Sequence, residues 1–307
     1  MSNVSPLEKL AQLPGMRTEE PLAKHTTFTV GGPAKFFLPT NDVVLVQQAV
    51  RLARAAKLPV VALGGGSNTL VSDQQFPGLI LHLVSTRCQV NDDGTVDADA
   101  GIPLSRVVQA TMKKGFGGLE FAVGIPGSFG GALVGNAGTG GHGVAELATQ
   151  VTFLDAQGEI QTCPRNEMAV AYRHTRFKYS LTDIILSGTL QLAPAAPADI
   201  QARVKAALQR RSWQPKGAWC AGCVFKNPTG NHAGKLIEQA GLKGKRIGGA
   251  IVSPDHANFV VNTGKATAEE IVMLISYVKQ QVRDQFGIQL QEEIRYLGFD
   301  TPRPIPA

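Results

Sequence analysis

The segment GIPGSFGGALVGNAG, Gly124 to Gly138, sits inside a longer run, Phe121 to Ala145, that has no Asp, Glu, Lys or Arg and nine glycines. By charge alone the run could pass for a membrane span. A helix there would lose about 1 kcal/mol per glycine and about 3 kcal/mol at Pro126, and hydrocarbon would leave its loop backbone unsatisfied. It therefore reads as backbone packed against a large buried ligand. Earlier, ALGGGSN (Ala62 to Asn68) carries a short apolar strand into three glycines. Without Cβ atoms such a loop can approach an anion closely, and its successive N–H groups can form a nest for phosphate oxygens. It lacks the G-x-G-x-x-G spacing and a following helix, so it is not a Rossmann fingerprint. One glycine triplet alone is more often a plain turn. Two runs with the same logic imply a long ligand with a phosphate region, touched by backbone from two lobes.

The remaining composition fits such a protein. The chain has 307 residues, 43% hydrophobic and 18% charged, enough for two domains or one large one. Its four cysteines, Cys88, Cys163, Cys220 and Cys223, are too few and scattered for a disulfide framework. The first 25 residues carry charges throughout and no apolar core of signal-peptide length, so a cytoplasmic protein without membrane insertion is expected. The net charge of +6 is uneven: Gln201 to Ala250 holds ten Lys or Arg against one acid, Glu238. That segment can bind an anion or form a solvated basic face. No interleaved aromatics or nucleic-acid motif accompany it, so no nucleic-acid partner is expected.

Periodicity places the elements. Asn41–Asp42 caps a helix with Val43, Val44, Val46, Val50 and Leu52 on its apolar side. Strands are predicted near Leu79–Leu83 and Val96–Ala100, a helix near Leu104–Lys114, a hairpin turning at Gln157–Gly158, and a buried strand from Asp183 to Leu192. The Pro/Ala-rich APAAPAD, Ala193 to Asp199, suggests a boundary near 197. Beyond it, Asp199 to Trp213 reads as helix. Thr267 with Glu270 forms a capping box ahead of Ile271, Leu274, Ile275, Val278, Val282 and Phe286, and Gly287 ends that helix. Last strands are expected near Ile288–Leu290 and Glu293–Leu297. The mixture predicts an α+β class, divided as 1–75, 76–197 and 198–307.

Eight segments in order carry a resemblance: TFTVGGPA, LGGGSN, GIPGSFGGALVGNAG, AYRHTRFK, AGCVFKNP, AGKLIEQAGLKG, GGAIVSPDHANFVVN and LQEEIRYLG. Together they resemble the UDP-N-acetylenolpyruvoylglucosamine reductases, flavoenzymes of peptidoglycan synthesis, over nearly the whole chain. The resemblance implies a two-lobed FAD-binding domain of the vanillyl-alcohol oxidase (PCMH) type, with 1–75 and 76–197 as its lobes, then an α+β substrate domain. It implies non-covalent FAD held by Gly64, Gly65, Gly66, Ser67 and Asn68 and by Gly124, Ile125, Pro126, Gly127, Gly135, Asn136 and Ala137. NADPH is the implied hydride donor and the enolpyruvyl ether of UDP-N-acetylglucosamine the implied acceptor. Only about fifty residues separate Arg173 from Cys223, which resembles the shorter subfamily that lacks a tyrosine-bearing loop over the substrate. A monomer is favoured and no metal is expected.

The chemistry implied by the resemblance explains the residue types. Hydride addition to an enolpyruvyl ether puts negative charge on the carboxylate side. Arg173 matches the family's catalytic arginine, and a guanidinium can hold that carboxylate in bidentate fashion; an ion pair at the surface is its bland alternative. Glu293 matches the catalytic glutamate, but Glu292 stands where the family often has proline, so either acid is open. In a strand only one of the two faces the site, and Arg295 would share the face of Glu293. Lys226 and Asn227 match substrate contacts, Arg210 is a candidate diphosphate ligand, and His256 and Asn258 have no assigned role. Cys223 stands where the family commonly has a serine proton donor; a thiol has a reference pKa of about 8.5 and can replace it. C-x-x-C is also a dithiol motif, but Pro228 and Gly230 follow closely, CVF reads as strand, and no second C-x-x-C supports zinc. The resulting expectation is proton donation by Cys223 with Cys220 as a bystander. Another FAD-dependent oxidoreductase of this fold, or a flavin-binding module that has lost catalysis, are the alternatives.

Overall fold

A computed structural model describes residues 5–180 and 182–299. The outermost residues of the predicted first and last segments, 1–4 and 300–307, lie outside the described residues. The chain forms two compact units: Met1–Thr18, Lys35–Gly65 and Pro77–Ser212 make the first, and Glu19–Ala34, Gly66–Phe76 and Trp213–Ala307 the second.

In the first unit the strands Pro33–Thr40, Phe76–Leu83 and Val60–Ala62 lie side by side in that order, with Arg17–Pro21 at the outer edge. Val60–Ala62 runs parallel to Leu79–Leu81. The helix Val43–Ala55 connects two of these strands. Asp42 caps it by accepting from Val44 N–H, and Val46, Ala49, Val50 and Ala53 are its buried face. A five-stranded antiparallel sheet follows, in the order Ile160–Pro164, Ala148–Leu154, Ile184–Gln191, Thr95–Asp99, Cys88–Val90. The short helix Phe129–Gly135 packs on its central strand at Gly188, where a Cβ would meet the Leu133 side chain at 2.6 Å. The helices Leu104–Lys113 and Pro197–Arg210 complete this unit.

The second unit is built round the helix Ala268–Phe286. Ile271, Leu274, Ile275, Val278 and Val282 are buried along one face of it, against a core that contains Phe28, Val30 and Leu70. Its sheet is antiparallel: Arg246–Ile247, Ala250–Val252, Val260–Asn262. Thr69–Val71 pairs in parallel with Arg295–Leu297. The capping box is present, and Asp73 adds a third acceptor, taking the Ala268 N–H at 2.8 Å. Gly287 closes the helix at φ +69°, a left-handed conformation that glycine adopts without a Cβ penalty.

Three predicted strands differ. Residues 288–290 make no ladder; Leu290 is buried 1% exposed in the core, so its apolar character reflects packing and not pairing. CVF reduces to one bridge, Phe225 with Glu292. The final strand is shorter than Glu293–Leu297 and begins at Arg295, because the chain bends at Ile294. Alternation therefore does not tie the direction of Glu293 to that of Arg295.

The capped helix organises the second unit, so its first turn is a direct test. Thr267→Ala should lower the unfolding free energy by about 1 kcal/mol, the usual value of a lost N-cap, as read from chemical denaturation.

Candidate active site

In the first unit the two glycine loops touch. A Cβ on Gly65 would lie 2.9 Å from Gly127 Cα, and one on Gly64 would overlap the Ser128 hydroxyl. Ser128 is buried and also caps the helix Phe129–Gly135, accepting from Gly131 N–H at 3.2 Å. Neighbouring bonds fix the second loop: Leu104 N–H donates to Gly127 C=O at 3.0 Å, Ile125 N–H to Ala122 C=O at 3.0 Å, and Arg211 Nη2 to Gly124 C=O at 2.9 Å. Among the described residues none accepts a hydrogen bond from the N–H groups of Gly64, Gly65, Gly127 or Ser128. Clustered backbone donors without protein acceptors form a nest that suits an anionic oxygen. These residues thus fit the diphosphate of FAD. Gly124 and Pro126 are exposed on the same loop, and a Cβ on Gly135 would meet nothing within 4 Å.

Arg173 is held by the same unit. AYRH is a four-residue turn, with Ala171 N–H to His174 C=O at 3.0 Å and His174 N–H to Ala171 C=O at 3.1 Å. Its third residue, Arg173, has φ +54°, a place that tight turns usually give to glycine. A left-handed non-glycine residue costs on the order of 1–3 kcal/mol and is found where a side chain is needed. The guanidinium donates from Nη1 to Gly138 C=O at 2.8 Å and lies over the exposed Tyr172 ring. Asn136, expected as a cofactor contact, staples this turn: Nδ2 donates to Ala171 C=O at 2.9 Å, and Oδ1 accepts from Ala145 N–H at 3.0 Å. Its neighbour Ala137 is half-buried, its N–H taken by Ala132 C=O. Arg210 also belongs to this unit, on the last turn of Pro197–Arg210, with its guanidinium beside Gly140.

The second unit gathers the other candidates. A Cβ on Gly66, at φ +61°, would collide with the His25 carbonyl, so glycine is required there by the backbone alone. Ser67 follows half-buried, and Asn68 Nδ2 donates to Glu293 C=O at 3.1 Å while its own C=O accepts from Arg295 N–H at 2.8 Å. The end of the first glycine loop thus supports the segment bearing Glu293 and Arg295. Glu292 is engaged elsewhere: Lys279 Nζ lies 2.8 Å from both of its carboxylate oxygens. Arg295 is solvent-accessible yet so closely surrounded that desolvation lowers its pKa.

Cys223 lies in irregular backbone just after Gly222, with no helix following Cys220, so the pair lacks the setting of a dithiol redox motif. Neither Cys220 nor Cys223 is in a disulfide. Burial raises the pKa of Cys220, whose carbonyl accepts from the Thr27 hydroxyl. Lys226 is half-buried, its N–H bonded to Gln291 C=O at 2.9 Å. Asn227 Oδ1 accepts from Ala233 N–H at 3.1 Å and so serves the start of the helix Ala233–Gln239. His256 stacks on the exposed Trp213 indole, ring centroids 4.5 Å apart; burial lowers its pKa, and Nδ1 accepts the Asn258 N–H. Among the described residues no group of three or more His, Cys, Asp or Glu is placed to hold a metal ion.

The sequence reading missed Ser128 and left Asn258 without a role. A serine before a run of small helical residues is an N-cap signal and could have marked the first. Asn258 carries no such signal, because its partners lie far off in the chain.

Gly135 separates the cofactor role of the second loop from its packing role. Gly65 and Gly127 are required for loop contact, so bulk there disturbs the fold and the cofactor together. Gly135→Ala meets no protein atom and should keep or slightly raise stability of the flavin-free protein, by up to about 1 kcal/mol from helix propensity. Weaker FAD retention in that variant, measured by flavin titration, is the expected result of a ligand lying against residue 135.

Comparison with known proteins fits this geometry. Residues 33–164 match the FAD binding domain family, and residues 214–297 match the family described as UDP-N-acetylenolpyruvoylglucosamine reductase, C-terminal domain. The chain is 39% identical over 297 residues to UDP-N-acetylenolpyruvoylglucosamine reductase 2 of Symbiobacterium thermophilum, covering 96% of each. It is 43% identical over 296 residues to the enzyme of that name from Synechococcus sp. strain WH7803, covering 94% of each. The crystal structure of UDP-N-acetylenolpyruvylglucosamine reductase from Thermus caldophilus superposes with a TM-score of 0.79 at 32% identity, over 92% of this chain and 99% of that one. The α+β class and the vanillyl-alcohol oxidase type of FAD-binding domain are borne out by these matches. With relatives this similar over nearly their full length, the chain belongs to the UDP-N-acetylenolpyruvoylglucosamine reductase family.

Proposed function

We propose that the chain uses NADPH to reduce the enolpyruvyl ether of UDP-N-acetylglucosamine to UDP-N-acetylmuramate, in the cytoplasm and as a monomer. Family membership makes it an FAD-dependent oxidoreductase of peptidoglycan synthesis. The observation that carries the reading is the nest of backbone donors at Gly64, Gly65, Gly127 and Ser128, on a chain that also bears Arg173, Cys223 and Glu293 at the family's motif positions. Bound FAD supplies a hydride acceptor for the nicotinamide and a hydride donor for the enolpyruvyl double bond. No described helix is long and apolar enough to cross a membrane.

Each side chain has a part in this proposal. Arg173 binds the substrate carboxylate and stabilises the charge that grows on it as hydride arrives. Its turn has no freedom to swing away, being anchored through Asn136 and Gly138. Cys223 Sγ–H gives a proton to the carbon next to the one that receives hydride. Glu293, in its protonated form, donates a hydrogen bond to the carboxylate of the intermediate that hydride addition leaves; Glu292 is the weaker candidate, because its charge is matched by Lys279. Lys226 and Arg295 are cations for the UDP-sugar, joined by Asn227 and by Arg210 on the helix Pro197–Arg210. The three segments 1–75, 76–197 and 198–307 correspond to two FAD-binding lobes and a substrate domain.

Anaerobic mixing of the flavin-loaded protein with NADPH, then with the enolpyruvyl ether, tests the reading through flavin absorbance: bleaching, then recovery. Bleaching without recovery would favour an FAD enzyme with another acceptor. Arg173→Gly should retain stability within about 1 kcal/mol, since glycine suits its left-handed backbone, while recovery slows about a hundred- to a thousandfold. Glu293→Gln should slow the same step; the same effect from Glu292→Gln alone would reassign the acid.

The cysteines make a second, separate test. Cys220→Ser should keep near-normal turnover. Cys223→Ala should lose about a hundred- to ten-thousandfold, the range for general acid catalysis, and Cys223→Ser should restore much of it. Equal inactivation of Cys220→Ser and Cys223→Ser, with wild-type activity dependent on reductant, would instead make the pair a dithiol.

A further inference from the structure

The segment Cys223 to Lys226 is too short to be a strand, yet both of its edges are bonded. On one edge Glu293 N–H donates to Val224 C=O at 2.7 Å and Lys226 N–H to Gln291 C=O at 2.9 Å, either side of the Phe225–Glu292 bridge. On the other edge Asn258 makes three hydrogen bonds. Its carbonyl accepts from Val224 N–H at 2.8 Å. Its side-chain Oδ1 accepts from Phe225 N–H at 3.0 Å, and its Nδ2 donates to Phe225 C=O at 2.8 Å. A carboxamide offers the same donor–acceptor pair as a peptide group. Asn258 therefore stands in for the next residue of a neighbouring strand and satisfies both polar groups of Phe225. The arrangement is 3% exposed at Asn258, and the Asn258 N–H is held at 3.0 Å by His256 Nδ1.

We infer that Asn258 is a positioning residue for the reaction: it fixes the register of Cys223–Lys226 against Gln291–Glu293, and so aims the Cys223 thiol and the Lys226 ammonium relative to the Glu293 segment. The inference rests on the reading of Cys223 as proton donor. Phe225 and Val224 are both buried, so their polar groups have no water to turn to if Asn258 is lost. The segment would then shift to find new partners. Cys223 is the residue before Val224 and moves with it, and Glu293 is bonded directly to Val224. A merely structural residue would lower stability without singling out one half of the reaction.

Asn258→Asp tests this on the flavin-loaded full chain in a Cys220→Ser background. The variant keeps the size and the acceptor oxygen but sets an oxygen against the Phe225 carbonyl. FAD content and flavin reduction by NADPH should be unchanged. Reoxidation by the enolpyruvyl ether should slow about a hundredfold, the scale expected when a reacting group is displaced by ~1 Å. The alkylation rate of Cys223 by iodoacetamide, read by peptide mass mapping, should change at least about threefold, because thiol reactivity follows local environment. Unchanged reoxidation and unchanged alkylation, or equal slowing of both half-reactions, would overturn the role. If Asn258→Asp does not accumulate as folded holoenzyme, Asn258→Ser, which retains one hydroxyl partner, is judged by the same outcomes. Failure of the underlying reading looks different: Cys223→Ala would then keep normal steady-state turnover, while Asn258→Asp would still alter Cys223 alkylation.

Discussion

Backbone at residue 65 approaches backbone at residue 127 so closely that no side chain fits between them. Most of what the first unit does follows from that contact. Two loops from distant parts of the chain meet through glycine, and their N–H groups are turned away from protein acceptors. An anion can then be bound by peptide dipoles, without a lysine or arginine at the contact. Ser128 is part of the same economy: its hydroxyl fills the space left by Gly64 and caps the helix that leads on to Asn136. Asn136 in turn fixes the turn that carries Arg173. The loop contact and the placing of the Arg173 guanidinium are thus successive consequences of one chain path.

The second unit solves a different problem. Its polar side chains must be aimed from irregular backbone, where no long ladder imposes direction. Pairing is instead done piecemeal, by Asn68 on Glu293 and by Asn258 on Phe225. Two adjacent acids are separated by the same means: Lys279 takes Glu292, and the bend at Ile294 takes Glu293 out of the final strand. Cys220 and Cys223 are similarly divided, one thiol packed against the core with its pKa raised by burial, the other beside the segment that carries Lys226.

Legibility in the sequence followed the range of the forces involved. The helix Ala268–Phe286 was read with its cap, its buried face and its stop, because all three signals lie within one segment. The helix after Asp42 and the hairpin at Gln157–Gly158 were legible for the same reason. Residues 288–290 were misread because a lone buried leucine has the same apolar signature whether or not it is paired. The glycine loops were read as ligand-facing, but their contact with each other was not foreseen, since nothing local encodes a meeting of residue 65 with residue 127. Asn136 was expected as a cofactor contact from the family resemblance, and its staple to Ala171 depends on a turn thirty-five residues away.

The chain passes between its two compact units at residues 18/19, 34/35, 65/66, 76/77 and 212/213. Synthesis on the ribosome gives that path a schedule. Phe28, Val30 and Leu70 emerge early, but the core they belong to is completed only by residues as late as Ile294. Until then these apolar side chains, and the strand Thr69–Val71 whose partner is Arg295–Leu297, have nowhere native to go. Contacts of such long sequence separation form slowly and leave nascent chains open to misassociation. The C-terminal part cannot be cut out as a module either, since residues 213–299 alone would lack three side chains of their own core. The two units therefore have to be expressed as one chain.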